Sequence, residues 1–288
     1  MAVLPHARER AGSRGRRKGA AVSDRVTQEI PRVEGAVRRL GATKVPEITV
    51  AFWVTKVLTT GGGEATSDFL VHSMSPVVAV GIGGVAFAGA MALQFRSRRY
   101  VTWIYWLAVA MVGVFGTMAA DVLHIGLGIP YAVSTAFYAV VLTVVFVVWY
   151  RVEGTLSIHS VRTPRREAFY WATVLATFAL GTAAGDLTAT TLRLGYLTSG
   201  VLFAVVIAVP AVAHRWLGLG SVAAFWAAYI VTRPLGASFA DWAAVPHGRG
   251  GENLGYGPVA LVSAVAIALM VAYMSGVDRR KPPTGGPV

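Results

Sequence analysis

From about Val45 onward, apolar stretches of membrane-spanning length follow one another with only short polar breaks. That succession constrains the fold more than any single motif does. A helix needs roughly 20 mostly apolar residues to cross the hydrocarbon core of a bilayer, and inside that core every backbone N–H and C=O must be bonded within the protein. The composition agrees: 55% of the 288 residues are hydrophobic, only 14% are charged, and the mean hydropathy is +0.58. The sequence therefore predicts an all-α integral membrane protein of eight transmembrane helices, spanning approximately 46–70, 76–95, 100–124, 129–149, 168–191, 196–213, 218–242 and 257–276.

Charge then sets the expected organisation. Residues 1–44 are rich in Arg and Lys with few large apolar residues, and read as a disordered basic cytoplasmic tail. They lack the short apolar core and small-residue cleavage site of a signal peptide, so the first helix reads as an uncleaved anchor. Residues 45–150 form a first membrane half, 151–167 a cytoplasmic loop, 168–277 a second membrane half and 278–288 a second cytoplasmic tail. With both termini inside, all but four of the 26 basic residues lie in cytoplasmic segments: Arg193 and Arg249 fall in outer loops, and Lys56 and Arg233 within spans. The positive-inside rule is met at every loop, which places the protein in the cell (inner) membrane. The net charge of +12 then points to anionic lipid headgroups beneath the tail rather than to nucleic acid.

The spans repeat. An aromatic pair, Phe52-Trp53, Tyr105-Trp106, Tyr170-Trp171 and Phe225-Trp226, opens every odd-numbered helix. Ten residues after each Trp stands Gly63, Gly116, Gly181 or Gly236, and fifteen after it Asp68, Asp121, Asp186 or Asp241, with no insertion in any copy. Each copy turns back through an apolar even-numbered helix. The chain therefore reads as four helical hairpins inserted in the same direction, a parallel repeat rather than an inverted one.

Fifteen residues of helix rise about 22 Å, so each Trp falls toward the cytoplasmic side and the four Asp form one layer toward the outer face, where Pro76 and Pro130 mark the starts of helices two and four. An Asp at that depth snorkels, caps a turn or serves a site, since an ionisable group inside a span is costly. The first helix is the most polar, with Lys56, Thr60, Glu64, Asp68 and His72 at intervals of four on one face. Gly61, Gly62 and Gly63 either unwind this helix or let another pack closely. Thr232-Arg233-Pro234 is expected to break the seventh helix, because Pro234 cannot donate to the carbonyl of Ile230. Arg233 reads as a counter-ion for a buried carboxylate or as part of a gate. His72, His124 and His247 follow three of the aspartates, as solvated side chains or as a metal entry site.

The segments LysValProGluIle (44–48), PheTrp (52–53) with ThrThr and GlyGluAlaThr (59–66), and ThrArgProLeuGlyAla (232–237) resemble those of a family of uncharacterised bacterial multi-pass membrane-anchored proteins. Ala240 stands where that family's pattern has glycine. The resemblance implies a multi-helix membrane protein and supplies no activity.

Function is read from the polar residues. With no cysteine, disulfides, thiolate metal sites, iron–sulfur clusters and cysteine nucleophiles are excluded. Rhomboid-type Gly-x-Ser-Gly, zincin and phosphate-loop motifs are missing, and Ala184-Gly185-Asp186 lacks the Gly-x-Gly-Asp of an intramembrane aspartyl protease, so the chain reads as no enzyme. The expectation is a transporter or exporter of a small cation. Its binding residues are Lys56, Thr60, Glu64, Asp68, Asp121, Asp186, Arg233 and Asp241, with Glu64, Asp68, His72 and Asp121 as candidate metal ligands. Oxygen donors without sulfur favour a hard divalent ion such as manganese, with proton coupling open. No organic cofactor is expected, only a bound divalent cation. The alternatives are a non-transporting membrane partner or scaffold, packed through small residues such as Gly81, Gly83, Gly84 and Gly89, and, behind it, an intramembrane enzyme.

Overall fold

The computed structural model describes residues 43–280. The basic tail expected over 1–44 lies outside the described residues except for Thr43 and Lys44, and 281–288 lie outside them as well. The described chain is helical: α1 (Val50–Ser73), α2 (Pro76–Arg96), α3 (Thr102–Asp121), α4 (Tyr131–Glu153), α5 (Pro164–Asp186), α6 (Tyr196–Val206), α7 (Ala208–Trp216), α8 (Ser221–Ala244) and α9 (Tyr256–Arg280). Local sequence explains where they start and stop. Thr49, Ser75 and Thr163 cap α1, α2 and α5 by accepting from the backbone N–H three residues on, and Pro76 and Pro164 occupy first-turn positions where no donor is needed. Gly154 ends α4 with φ 69°. Pro210 has no N–H to give Val206, and the expected sixth span is broken there into α6 and α7.

Six stretches are long and apolar enough to cross a membrane: Pro76–Arg96, Thr102–His124, Tyr131–Glu153, Pro164–Thr191, Tyr196–Trp216 and Tyr256–Arg279. Helices α1 and α8, each 24 residues long, are not among them. They carry Lys56, Glu64 and Asp68, and Arg233 and Asp241, within their length.

The packing separates two sets of helices. The helices that open the copies, α1, α3, α5 and α8, form a closed ring in which each touches the next and α8 returns to α1. The others lie outside it. In the apolar core of each span, 56% of α3 and 67% of α5 is buried, against 22% for α2, 17% for α4, 17% for α6 with α7, and 6% for α9. The outer helices do not simply double back on their own partners, as the hairpin reading expected. Helix α2 packs mainly against α3, α4 against α5, α6 and α7 against α8, and α9 against α1. Each copy is thereby strapped to its successor, and the last to the first.

The aromatic pairs close the same circle. Phe52 lies 5.7 Å from Trp106, Tyr105 5.6 Å from Trp171, Tyr170 6.1 Å from Trp226 and Phe225 5.7 Å from Trp53, between ring centroids. The first aromatic of every copy meets the Trp of the next. The Tyr105 and Tyr170 hydroxyls lie 2.5 Å apart inside this plug, and Trp106, Tyr105, Tyr170 and Phe52 are each 1% exposed. Aromatic pairs of this kind contribute about 0.5–1.5 kcal/mol each beyond their buried area.

The repeated glycines show why the ring can close so tightly. A Cβ on Gly63 would stand 2.9 Å from the Gly113 backbone, and one on Gly116 would stand 2.7 Å from Cβ of Phe178. One on Gly181 would strike the stem of Arg233, and one on Gly236 would strike Thr60. All four obstructed residues, Gly113, Phe178, Arg233 and Thr60, stand seven positions after the Trp of the neighbouring copy. The Gly61–Gly63 run serves this close approach, and α1 is continuous through it. Helix α8 likewise runs through Pro234 without the break expected there.

Beneath the plug, the segment before α1 is tied to the bundle. Lys44 pairs with Glu167 at 2.5 Å, both buried, and Gln94 donates to the other Glu167 oxygen at 2.9 Å.

Candidate functional site

Residues three, seven, eleven and fifteen positions after each Trp share one helical face, and in a ring of equivalent helices they stack as four levels along the axis. The first level holds Lys56, Val109, Val174 and Tyr229, all fully buried. The second holds Thr60, Gly113, Phe178 and Arg233, the third Glu64, Thr117, Thr182 and Ala237, and the fourth the four aspartates. In each of the lower three levels the side chains differ between copies, although the backbone positions correspond. The symmetric frame encloses an asymmetric interior.

Lys56 is 0% exposed. Its Nζ lies 4.4 Å from the ring centres of both Phe178 and Tyr229 and has no hydrogen-bond partner. Aromatic faces hold the ammonium, by cation–π attraction. Arg233, also 0% exposed, lays its guanidinium 4.0 Å from the centre of the Phe178 ring, so that ring carries both cations.

The carboxylate partner belongs to Arg233. Its Nη1 donates to the Thr60 carbonyl at 2.7 Å. Its Nη2 donates to Glu64 Oε2 at 3.2 Å, Thr117 Oγ1 at 2.6 Å and Thr182 Oγ1 at 3.1 Å. The two threonine hydroxyls in turn donate to the same Glu64 oxygen at 3.0 and 3.1 Å. One ion pair is thus braced from two further helices, which is what a buried charge needs to offset its desolvation. Thr60 adds a side-chain bond to the Thr232 carbonyl at 3.2 Å, tying α1 to α8 at the same height.

Asp68, Asp121 and Asp186 are half-buried and Asp241 is 8% exposed. No hydrogen bond or ion pair among the described residues holds any of the four carboxylates. Glu64, Asp68 and Asp241 each bring a ligand oxygen within 4.8 Å of the others. The structure therefore groups Glu64 and Asp68 with Asp241, rather than with His72 and Asp121 as the sequence suggested. Asp121 instead faces, with Asp68, His72, Pro76 and Met118, a cavity of about 330 Å³ between α1, α2 and α3. Asp186 stands at the same level on α5, outside the trio.

The histidines are occupied locally. His72 Nδ1 bonds to the Asp68 carbonyl at 2.7 Å and its ring stacks on Tyr256. His124 bonds to the Ile129 carbonyl at 2.6 Å and stacks on Tyr131, and His247 bonds to the Gly251 carbonyl at 2.7 Å. The second and third copies share a backbone feature that the others lack. Immediately after Asp121 and Asp186 the chain makes a π-helical turn, Val122–Gly126 and Leu187–Thr191, a local widening that recurs at functional positions in helices.

Thr117, Thr182, Phe178 and Tyr229 were not picked out from the sequence. The signal was present, since each stands at the repeat position of a residue that was picked: Glu64 for the two threonines, Arg233 for Phe178 and Lys56 for Tyr229.

The family model described as Repeat of Unknown Function (DUF347) matches four segments of the chain, residues 51–100, 104–155, 169–218 and 224–280. Every matched segment begins one residue before the aromatic pair, so the family's repeat and the structural repeat share one register. No curated protein and no solved structure matches the chain.

Proposed function

The chain belongs to the DUF347 repeat family, and we propose that it is a multi-pass membrane transporter or exporter of a small cation, a hard divalent metal such as manganese. The observation that carries this reading is the trio of Glu64, Asp68 and Asp241, with oxygens within 4.8 Å of one another toward the aspartate end of a closed helical ring. Opposite ligands of a calcium-sized ion stand about 5 Å apart, so the spacing suits a cation held by oxygen alone.

In this reading all eight spans cross the membrane. Helices α1 and α8 are too polar to face lipid and are shielded by the ring and its outer straps. The basic flanks keep both termini in the cytoplasm, and the aspartate level faces outward. The four unpaired aspartates gather cations at the mouth. An ion that reaches Glu64 competes with the Arg233 guanidinium, and releasing that pair loosens the interior above the aromatic plug. Alternating opening of the two ends then moves the ion, with the Trp ring as the inner gate.

Flux of radiolabelled Mn²⁺ into proteoliposomes tests this. Replacing Glu64→Gln together with Asp68→Asn should lower flux at least tenfold, the effect of losing about 1.4 kcal/mol or more of binding. Unchanged flux in a folded double variant would overturn the assignment.

A further inference from the structure

Arg233 Nη2 sits in a cage of three side-chain oxygens, Glu64 Oε2, Thr117 Oγ1 and Thr182 Oγ1, at 3.2, 2.6 and 3.1 Å. The three come from α1, α3 and α5 at one repeat position, eleven residues after the Trp, and Arg233 reaches them from α8. In the fourth copy that position is Ala237, which presents no oxygen. All three oxygen donors belong to side chains 0–4% exposed. The three oxygens stand 3.0–3.4 Å from one another, and a cation seated on oxygens from three helices is the arrangement of an ion site, here filled by a side chain of the protein itself.

Two further observations bear on what else fits. Arg233 Nε is buried without a partner, so the guanidinium is incompletely satisfied where it lies. The cage also holds a single carboxylate. Exchanging the guanidinium for one positive charge leaves the charge within the cage unchanged, whereas a divalent ion would add a charge to an interior that already buries Lys56, where burial makes it most costly. Size gives the same answer. The oxygens stand 2.6–3.2 Å from the occupying nitrogen, wider than the 2.0–2.1 Å that magnesium demands and at or beyond the calcium range.

We infer that the Glu64–Thr117–Thr182 cage is a binding site for a dehydrated, singly charged cation of ammonium or potassium size, with Arg233 as its tethered competitor. The site is distinct from the outer carboxylate trio in ligand class, although Glu64 belongs to both. Its role in a cycle, as the place of a coupling ion, rests on the transport reading; its existence does not. Displaced from the cage, the guanidinium has Asp241 and Asp121 within electrostatic reach.

The test is thermal melting of the full chain in detergent, in chloride salts of potassium, ammonium or N-methylglucamine at equal ionic strength. The wild-type protein should show a saturable rise of roughly 3 °C at ten times the dissociation constant for the two small cations and none for the large one. Thr117→Val with Thr182→Val should abolish the difference, and Arg233→Met, by removing the competitor, should lower the half-saturating concentration at least tenfold. Should Arg233→Met fail to fold, the threonine pair and Glu64→Gln carry the test. Identical melting of the wild type in all three salts, or a salt effect that survives the double threonine variant, overturns the inference. Absence of Mn²⁺ flux alongside a saturable, threonine-dependent salt effect would instead remove the transport reading and leave the cage standing.

Discussion

The first and fourth copies of the repeat contrast with the second and third. All four present the same register of aromatic pair, glycine and aspartate. Yet α1 and α8 carry Lys56, Glu64 and Arg233 inside the ring, where α3 and α5 place Val109, Gly113 and Thr117, and Val174, Phe178 and Thr182. The second and third copies instead hold the two π-helical turns after their aspartates. One pair supplies charge and the other the hydroxyls and aromatic face that make burying it tolerable. The lesson is that repetition fixes the frame, while function is built from departures from it at equivalent positions.

That contrast predicts a ranking of substitutions at a single level. The largest effect should come from Arg233→Met or Glu64→Gln, since removing one partner of a buried pair leaves the other uncompensated, at about 3–5 kcal/mol. The Arg233→Met, Glu64→Gln double variant should recover part of this loss. Apparent melting temperature in detergent reads both, and a double variant less stable than either single one would show that the charges are not a functional pair.

Next come the glycines, where the four copies should behave alike because the frame is common to all. Gly116→Ala and Gly236→Ala each force a Cβ into the neighbouring helix and should cost about 1–3 kcal/mol. Their relative losses in folded yield after detergent extraction check this. A large loss in one copy with none in the other would break the equivalence.

Smaller still is Thr117→Val alone, which removes one hydroxyl from a cage that keeps Thr182. About 1 kcal/mol is expected, with melting in the presence of potassium as the readout. At the bottom of the scale, Val85→Leu on the outer face of α2, where Val85 is 77% exposed, should stay within about 0.5 kcal/mol.

Much of this frame was legible in the sequence because Trp, Gly and Asp recur at fixed offsets with no insertion, and an uninterrupted register can only come from one repeated backbone. The lengths of α1 and α8 were legible as well, but their polarity disguised how they are accommodated: enclosure by other helices leaves no local trace. Pairing was harder. Glu64 and Arg233 are 169 residues apart, and nothing near either names the other. Only extending the register inward, seven and eleven positions past each Trp, puts Arg233 one turn from the level of Glu64. The strapping of each outer helix to the next copy was not legible either, since Val- and Ala-rich faces are interchangeable in composition. Pro234 misled for a related reason, while of the two readings of the Gly61–Gly63 run close packing is the one the structure shows. Local rules mark Pro234 as a break, yet α8 runs through it, and the glycines pack against Gly113, Gly236 and α9 within a continuous α1.

Closure of the ring by contact between α8 and α1, with α9 laid against α1, also orders events during synthesis. The helix that bears Lys56 and Glu64 is made before α3, α5 and α8, and the guanidinium that stabilises Glu64 arrives only with α8. Until then the nascent chain must shelter an unpaired acid and amine, by holding α1 near the interface or within the translocation machinery. Biogenesis of such a protein is accordingly most exposed before α8 has joined the ring, and a chain stopped after α7 should be cleared by quality control rather than accumulate as a partial bundle.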